Sequence, residues 1–376
     1  MKNTNKLHLI IQTNSPGELS SWVSPIVAQF KETAPEIFIT LCLVPCQYAS
    51  GNEFNSAKKN LQINEVYKPY ETVKICFNLK KINLKSNVGI ILCLGGDPFY
   101  TKLLKHRTKF KAFIYTEHNR NPGNFFEHVF FKHKVGDLMK ARIENYKEST
   151  ATIKRKHKLK NRNYVLFCMG SRTKHFIAFS QFCLDVFNKF LSQQNSFDIL
   201  ISLADTLPKD IKTKFKIKVS NPRITIIESD SLACMKIATF MVSLPGTNTA
   251  EAMYMKLPML TVLPLNKLKL IDIDGLLGLI FKIPIVGDIL KKIILPIIIN
   301  KAGFLSLPNK IEKKSIVPEI IEKIYPEKFT NQLLEIILNQ EKINSIKLNL
   351  EKIKTKNNSD KYIVNEILKK LRFIKR

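Results

Sequence analysis

The chain has 376 residues, of which 45% are hydrophobic, and it carries a formal net charge of +29 at pH 7. This length exceeds what one core usually supports, so two domains are expected, and the apolar content argues against global disorder. The charge predicts attraction to anionic partners, whether a membrane surface, a nucleic acid or a phosphorylated substrate. Seven cysteines without metal-ligand spacing favour reduced thiols in a cytoplasmic protein, and the first apolar run is too short for a signal peptide.

The first half of the chain alternates predicted strands and helices. An amphipathic helix is predicted over 20–32, where Trp22, Ile26 and Phe30 share one face. Strands are predicted over residues 7–12, 37–44, 88–94, 112–115 and 128–131. This β-α-β order is typical of a parallel sheet covered by helices.

A basic band over 102–162 contains 17 lysines and arginines against five acids. Its charge run at 151–161 predicts a linker between an N-terminal domain, residues 1–150, and a C-terminal domain, residues 162–340. Amphipathic helices over 341–376 are expected to pack back on the N-terminal domain. The band lacks regularly interleaved aromatic residues for base stacking, so no nucleic-acid partner is expected.

The second half repeats the alternation. Strands are predicted over 164–169, 199–203 and 224–227, and a helix over 175–191. The stretch 239–264 is then predicted as strand, turn, helix and strand. In this stretch Thr247, Asn248 and Thr249 offer side chains that cap the helix.

The turn before that helix has the features of a phosphate site. Gly246 leads into the helix N-terminus, where unpaired N–H groups and the positive end of the helix dipole suit an anion. Glu251 is placed one turn into the helix, where a carboxylate could reach the two hydroxyls of a ribose. An ordinary strand-to-helix connection would have the same pattern.

Two further side chains stand out by their position. Arg172 is a cation at a predicted helix start, which is unfavourable beside the dipole unless an anion binds there. Asp97 follows a predicted strand at the end where open α/β sheets bind ligands, and its predicted role is general base. A turn-forming Asp before proline would give the same sequence pattern. Glu18, at the equivalent end of the first strand, is the second candidate for the base.

An apolar excursion over 266–300 contains five lysines and is too broken by Gly and Pro to span a bilayer. Such a segment is typical of an interfacial membrane contact, and a helical hairpin packed on the protein's own core fits equally well.

Five short motifs, taken in order, resemble the lipid-A-disaccharide synthase family. They are PGELSSW at 16–22, GGDPF at 95–99, MGSR at 169–172, PGTNTAEAM with KLPM at 245–259, and FLSLPN at 304–309. The resemblance spans almost the whole chain. It implies a GT-B type α/β fold, with two Rossmann-like domains whose parallel sheets face a central cleft, and an inverting glycosyltransferase.

The resemblance also implies roles for the matching residues. On the donor side it assigns the diphosphate and ribose of a UDP-sugar, and the cleft that holds them, to Gly246, Thr247, Asn248, Glu251, Ser171, Arg172 and Asn309. On the acceptor side it assigns the wall of the first domain to Gly17, Glu18 and Ser20. Asp97 falls at the position of the family's essential aspartate. No DxD triplet follows a strand, so a metal-independent reaction without cofactor is expected.

The departures from the family pattern concern the acceptor and the sugar. Ser21 and Trp22 replace a Gly and an Asp of the family's first motif, and Pro245 replaces a Ser. The expected partners are a UDP-sugar, a lipid acceptor and an anionic membrane surface, with a homodimer left open. The expected location is cytoplasmic, peripheral on the inner face of the cytoplasmic membrane. The alternatives are a UDP-sugar 2-epimerase, an undecaprenyl-linked N-acetylglucosaminyltransferase, a basic nucleic-acid-binding protein and a non-catalytic membrane scaffold.

Overall fold

The computed structural model describes residues 7–46, 49, 51–266 and 303–372. The chain divides into two compact units, Met1–Tyr146 with Lys354–Arg376, and Lys147–Ile353. The predicted linker, 151–161, belongs to the second unit and includes a helix. Of the C-terminal segment 341–376, only the part from Lys354 onward belongs to the first unit.

The first unit is built on a parallel sheet with the strand order β3-β2-β1-β4-β5-β6. Its strands are β1 (His8–Thr13), β2 (Phe38–Leu43), β3 (Glu65–Tyr67), β4 (Gly89–Cys93), β5 (Lys111–Thr116) and β6 (His128–Phe131). β1 pairs with both β2 and β4, and it is buried along its whole length. Burial on both faces explains why this strand reads as a continuous apolar run.

Helices cover this sheet. They are α1 (Pro16–Glu18), which continues through a π-helical turn, Leu19–Val23, into α2 (Ser24–Thr33), then α3 (Glu53–Asn60), α4 (Pro69–Cys76), α5 (Pro98–Thr108), α6 (Lys132–Val135) and α7 (Leu138–Glu144). The predicted helix over 20–32 therefore begins earlier and contains a π-helical turn. Trp22 lies in that turn, where its ring meets Tyr115 edge to face at 5.2 Å.

The second unit has its own parallel sheet, ordered β12-β11-β10-β7-β8-β9. The strands are β7 (Asn163–Cys168), β8 (Phe197–Leu203), β9 (Ile224–Glu228), β10 (Phe240–Ser243), β11 (Met259–Pro264) and β12 (Glu319–Glu322). Counted from its own first strand, this order is the same as in the first unit. Both sheets thus have the doubly wound Rossmann arrangement, with a switch point between the first and fourth strands.

The helices of the second unit are α8 (Thr150–Lys156), α9 (Thr173–Gln193), α10 (Lys209–Ile217), α11 (Ser231–Ile237), α12 (Thr247–Tyr254), α13 (Leu307–Glu312), α14 (Pro326–Leu338) and α15 (Gln340–Lys352). The last helix, α16 (Ser359–Arg372), returns to the first unit. Its residues Ile363, Val364 and Ile367 are fully buried in the same core cluster as Phe30 and Leu92.

The described residues contain no helix that is long and apolar enough to cross a membrane. The predicted excursion over 266–300 lies outside the described residues from 267 onward. Asn266 itself is described, and its amide exchanges two hydrogen bonds with the backbone of Ile324. Throughout the described part of the chain, no group of three or more His, Cys, Asp or Glu is arranged to hold a metal ion.

Candidate functional site

In the first unit, the predicted acceptor-side residues lie at the switch point, directly after β1. Ser15 caps α1, with its hydroxyl accepting from the Glu18 backbone N–H at 3.3 Å. The Glu18 carboxylate reaches back and accepts from the Ser15 backbone N–H at 3.2 Å. This reciprocal capping box fixes the carboxylate at the carboxyl edge of the sheet. In the next turn, the Ser20 hydroxyl donates to the Gly17 carbonyl at 3.1 Å.

The loop that follows β4 passes directly beneath the Glu18 carboxylate. Gly95 has a φ of +136°, and a β-carbon at this position would lie 2.2 Å from Glu18 Oε2. Only glycine therefore fits under the carboxylate. The Gln12 side-chain amide supports the loop, since it donates to the carbonyls of Gly95 at 3.0 Å and Asp97 at 3.1 Å.

Burial of Glu18 raises the pKa of its carboxyl group from 4.5 to about 7. Its hydrogen bonds from Ser15 and Asn14 oppose this rise in pKa, and the negative charge of Glu117 adds to it. Glu117 follows β5 and lies 3.4 Å from Lys132 Nζ, which also contacts Asp137 at 2.9 Å. A carboxyl group with a pKa near neutrality can accept a proton and release it again at physiological pH.

Asp97 has a different environment. Its side chain is exposed and accepts from the Phe99 backbone N–H at 2.9 Å, so it serves as the N-cap of α5. Asp97 thus lies after β4, as predicted. It also has the turn-forming role before proline that was the alternative to a catalytic one. One carboxylate oxygen is engaged in the cap, and the side chain remains in contact with solvent.

In the second unit, the predicted donor-side residues also follow the two strands at the switch point. Gly170, Ser171 and Arg172 follow β7 one residue after its end, and Arg172 is the N-cap of α9. The side chain of Arg172 makes no capping hydrogen bond to the helix. The Ser171 carbonyl accepts from the Thr206 hydroxyl at 3.2 Å, which joins this turn to the loop after β8.

The turn after β10 leads into α12, and Gly246 is the N-cap. The prediction that Thr247, Asn248 and Thr249 provide the N-cap of this helix is wrong, because the N-cap residue is Gly246, which has no side chain. The Thr249 hydroxyl instead donates to the Gly246 carbonyl at 2.8 Å. Gly246 has a φ of +148° and no heavy atom within 4 Å of a β-carbon position, so this turn is open to solvent.

The four helices that follow the switch-point strands fall into two kinds. In the first unit, the side chains of Ser15 and Asp97 cap α1 and α5. In the second unit, the N-cap residues of α9 and α12, Arg172 and Gly246, make no side-chain hydrogen bond to their helices. The first N–H groups of a helix need acceptors, and an anion can supply them where no side chain does. The second unit therefore has the features of an anion site, whereas the first unit presents carboxylates.

Two of the predicted donor-side residues are buried. Glu251 lies on the inner face of α12 with 3% of its surface exposed. Asn309 is fully buried, and its amide bonds to the backbone of Ile316 and Val317 and to the Glu319 carboxylate. The predicted role of Asn309 in lining a substrate cleft does not fit this structure, because the side chain has no hydrogen-bonding capacity left for a ligand.

Several site residues carry no signal of their own in the sequence. Gln12 lies inside an apolar strand, and its role depends on the pairing of β1 with β4. Glu117 and Lys132 follow neighbouring strands, β5 and β6, and their contact likewise depends on the strand order. Of these three residues, only Gln12 could have been noticed in the sequence, because it is a polar residue within an apolar strand.

This architecture defines the class of the protein, a GT-B type fold of two Rossmann-like domains. Two solved structures with this fold are a putative UDP-N-acetylglucosamine 2-epimerase from Listeria monocytogenes and MnaA from S. aureus in complex with UDP. The first has a TM-score of 0.53 and 11% sequence identity, and the alignment covers 91% of this chain and 90% of the other. The second has a TM-score of 0.53 and 13% identity, with coverage of 99% and 98%.

The chain belongs to the lipid-A-disaccharide synthetase family, whose model matches residues 124–371. This confirms the resemblance found in the sequence. Among curated relatives, the lipid-A-disaccharide synthases of Francisella tularensis subsp. tularensis and Francisella philomiragia are each 24% identical, over 300 and 306 residues. Each alignment covers 79% of this chain and 66% of the relative, so the chain matches just under two thirds of their length.

Proposed function

We propose that this protein is a glycosyltransferase that moves an acylated glucosamine-type sugar from a UDP-sugar donor to a lipid-linked acceptor. Membership of the lipid-A-disaccharide synthetase family carries this assignment. The helix N-termini of the two units support this assignment. A diphosphate needs hydrogen-bond donors, which the second unit offers, and an acceptor hydroxyl needs a base, which the carboxylates of the first unit offer. The reaction belongs to lipid A or related glycolipid biosynthesis.

The donor diphosphate binds in the second unit, at the starts of α9 and α12. Neither N-cap residue, Arg172 or Gly246, caps its helix through a side chain, and both helices follow the strands that flank the switch point. Arg172 adds a guanidinium, which can pair with phosphate oxygens through two hydrogen bonds. Ser171 and Thr247 border the same turns, and Glu251 holds the ribose. These groups neutralise the departing diphosphate without a metal ion.

The transfer requires one bond to form and one to break. The acceptor hydroxyl gives its proton to a carboxylate of the first unit, and its oxygen bonds to the anomeric carbon of the sugar. The bond from that carbon to the diphosphate oxygen breaks, and UDP leaves with the electron pair. Attack on the face opposite the leaving group inverts the anomeric configuration.

Glu18 is the carboxylate that accepts this proton. Its pKa of about 7 suits a base at neutral pH, and its capping box holds the group in place. Asp97 was expected to be the base, but its cap to Phe99 and its exposure leave it less suited to the role. Gly17 and Ser20 shape the turn that carries Glu18.

The lipid acceptor implies that the enzyme works peripherally on the inner face of the cytoplasmic membrane. A lipid-linked substrate stays in the bilayer, so its enzyme must reach the interface.

An assay with acylated UDP-glucosamine and a lipid-linked glucosamine acceptor tests the proposal. Release of UDP that depends on the acceptor, together with a disaccharide lipid found by mass spectrometry, is the expected result. Incubation without acceptor controls for hydrolysis of the donor. If the protein instead epimerises UDP-N-acetylglucosamine and forms no disaccharide, the glycosyltransferase assignment is wrong.

A further inference from the structure

One buried hydroxyl joins the N-terminus of α13 to the turn between β10 and α12. We call this turn, residues 244–246, the diphosphate turn. The Thr249 hydroxyl donates to the Gly246 carbonyl at 2.8 Å, and it accepts from the Leu307 backbone N–H at 3.3 Å. Leu307 is the first residue of α13, and Thr249 is 1% exposed. The start of α13 therefore contacts the diphosphate turn through Thr249.

A carboxylate holds the residues that precede Leu307. Glu319 accepts from the Leu305 backbone N–H at 2.9 Å, from the Ser306 backbone N–H at 2.9 Å and from the Ser306 hydroxyl at 2.6 Å. Ser306 is the N-cap residue of α13 and is fully buried. Hydrogen bonds to a charged acceptor are stronger than those between neutral groups, so Glu319 fixes the place at which α13 begins.

The strand register explains how Glu319 reaches this place. Ser243 of β10 lies beside Thr261 of β11, and Thr261 lies beside Glu319 of β12. Ser243 is the last residue of β10 and Glu319 is the first of β12. The third strand thus begins at the level of the sheet at which the first one ends. Its first side chain can therefore bind a segment that lies next to the diphosphate turn.

The diphosphate turn depends on hydrogen bonds for its conformation. Gly246 has a φ of +148° and open space around its β-carbon position. Glycine has more backbone freedom than any other residue, so such a position needs partners to become fixed. The Gly246 carbonyl accepts from both the hydroxyl and the backbone N–H of Thr249, at 2.8 and 3.1 Å.

We infer that Glu319 and Ser306 position the diphosphate turn through the Leu307 N–H and the Thr249 hydroxyl. They are positioning residues, since each acts through the next one and not on the substrate. A turn that is ordered before the ligand arrives does not have to be ordered on binding, and this strengthens binding of the diphosphate. The inference rests on the proposed function, which supplies the identity of the ligand.

Asn309 binds the same carboxylate but has a different role. It donates to Glu319 at 2.8 Å, whereas its three other hydrogen bonds join it to the backbone of residues 316 and 317. Loss of the Asn309 side chain leaves the three hydrogen bonds from residues 305 and 306 to Glu319 in place. Asn309 therefore stabilises the fold without acting on the diphosphate turn.

Titration with UDP and with uridine tests the inference on Thr249 variants. Thr249→Val removes the hydroxyl and should weaken UDP binding by about tenfold or more, whereas Thr249→Ser keeps the hydroxyl and should bind UDP like the wild type. Uridine has no diphosphate, so its affinity should change little. Thr330→Val is the matched control, because the Thr330 hydroxyl is also buried in the first turn of a helix, where it donates to the Pro326 carbonyl at 2.7 Å. Equal weakening of UDP and uridine binding by Thr249→Val would contradict the inference.

A double-mutant cycle tests whether Glu319 acts through Thr249. An amide has one accepting oxygen where the carboxylate has two, so Glu319→Gln leaves a donor of residues 305 and 306 without its partner. It should weaken UDP binding in the same direction as Thr249→Val, and the two substitutions together should weaken it little more than the stronger one alone. Losses that add fully would show that the two residues act independently, and the inference would be wrong. Ser306→Ala is the milder second variant for the same cycle.

Hydrogen–deuterium exchange without ligand tests the same link and does not depend on UDP. In Thr249→Val, Glu319→Gln and Ser306→Ala, backbone amides over 245–250 should exchange faster by about tenfold, and in Thr330→Val they should exchange as in the wild type. Unchanged exchange over 245–250 in the Glu319 and Ser306 variants would overturn the inference. If the wild type binds no UDP, the proposed function fails, and the exchange rates still show whether Glu319 and Ser306 position the turn.

Discussion

The Glu18 carboxylate lies against the α-carbon of Gly95, so that a β-carbon on Gly95 would come within 2.2 Å of Glu18 Oε2. The two residues belong to loops that follow β1 and β4, the strands on either side of the switch point of the first sheet. The absence of a side chain at Gly95 therefore leaves the space that the Glu18 carboxylate occupies.

Gly95→Ala should displace the Glu18 carboxylate and lower turnover by about tenfold or more, because a misplaced base no longer meets the acceptor hydroxyl. Gly51→Ala is the control for backbone strain, since Gly51 has a φ of +88° and open space around it. Steady-state kinetics on both variants measure the effect. In a Glu18→Gln background, Gly95→Ala should cause little further loss, and a loss equal to that in the wild type would show that Gly95 acts independently of Glu18.

Glu18→Gln should abolish the rise of kcat/KM with pH near 7, because the ionised carboxylate is the form that accepts the proton. The pH profile of wild type, Glu18→Gln and Asp97→Asn provides the measurement. If Asp97→Asn lowers turnover by about a hundredfold and Glu18→Gln lowers it little, Asp97 and not Glu18 is the base.

The same pKa makes a prediction for stability that does not depend on activity. The folded protein holds the Glu18 proton more tightly than the unfolded chain does, so its contribution to stability is full below pH 4.5 and is lost as the pH rises through about 7. Relative to Glu18→Gln, the Tm of the wild type should therefore fall between pH 4.5 and 7. A constant difference in Tm across this range would contradict the raised pKa.

Arg172→Ala should weaken UDP binding by more than about tenfold, since a charge-assisted hydrogen bond contributes about 1.5–3 kcal/mol. Isothermal titration with UDP provides the measurement. Lys209→Ala is a matched control, because Lys209 is a cation at the start of α10, which does not follow a switch-point strand. Equal weakening by both substitutions would point to general electrostatic attraction rather than to a diphosphate site.

Asn309→Ala should lower the free energy of unfolding by about 3 kcal/mol or more, because it leaves buried backbone groups of residues 316 and 317 and the Glu319 carboxylate without partners. UDP affinity of the folded variant should change little. Chemical denaturation and UDP titration together test this. A variant of unchanged stability that has lost UDP binding would restore Asn309 to the donor site.

The sequence predicted the strands of both units that carry the site, because buried parallel strands form continuous apolar runs, as over 7–12 and 240–244. It did not predict β3 or β12, which are only three and four residues long. No strand was predicted over residues 319–322. That miss explains the error at Asn309, since Glu319 at the start of β12 is the carboxylate that Asn309 and Ser306 bind.

Positions after strand ends could be predicted, whereas contacts between them could not. Glu18 and Asp97 were placed correctly after their strands, but the proximity of Glu18 to Gly95 depends on β4 pairing with β1 and not with its sequence neighbour β3. The capping of α12 was also missed. Three consecutive residues with capping side chains start that helix, yet Gly246 takes the N-cap position and Thr249 turns its hydroxyl back to the Gly246 carbonyl.

The helix α16 completes the core of the first unit with residues that follow the whole second unit in the sequence. Ile363, Val364 and Ile367 pack in one cluster with residues of β1, α2 and β4. A ribosome must therefore synthesise the whole second unit before the first unit has all of its core. The second unit can fold during synthesis as one uninterrupted segment, whereas the first unit, although most of its residues emerge earlier, reaches its final packing only after α16 has been synthesised.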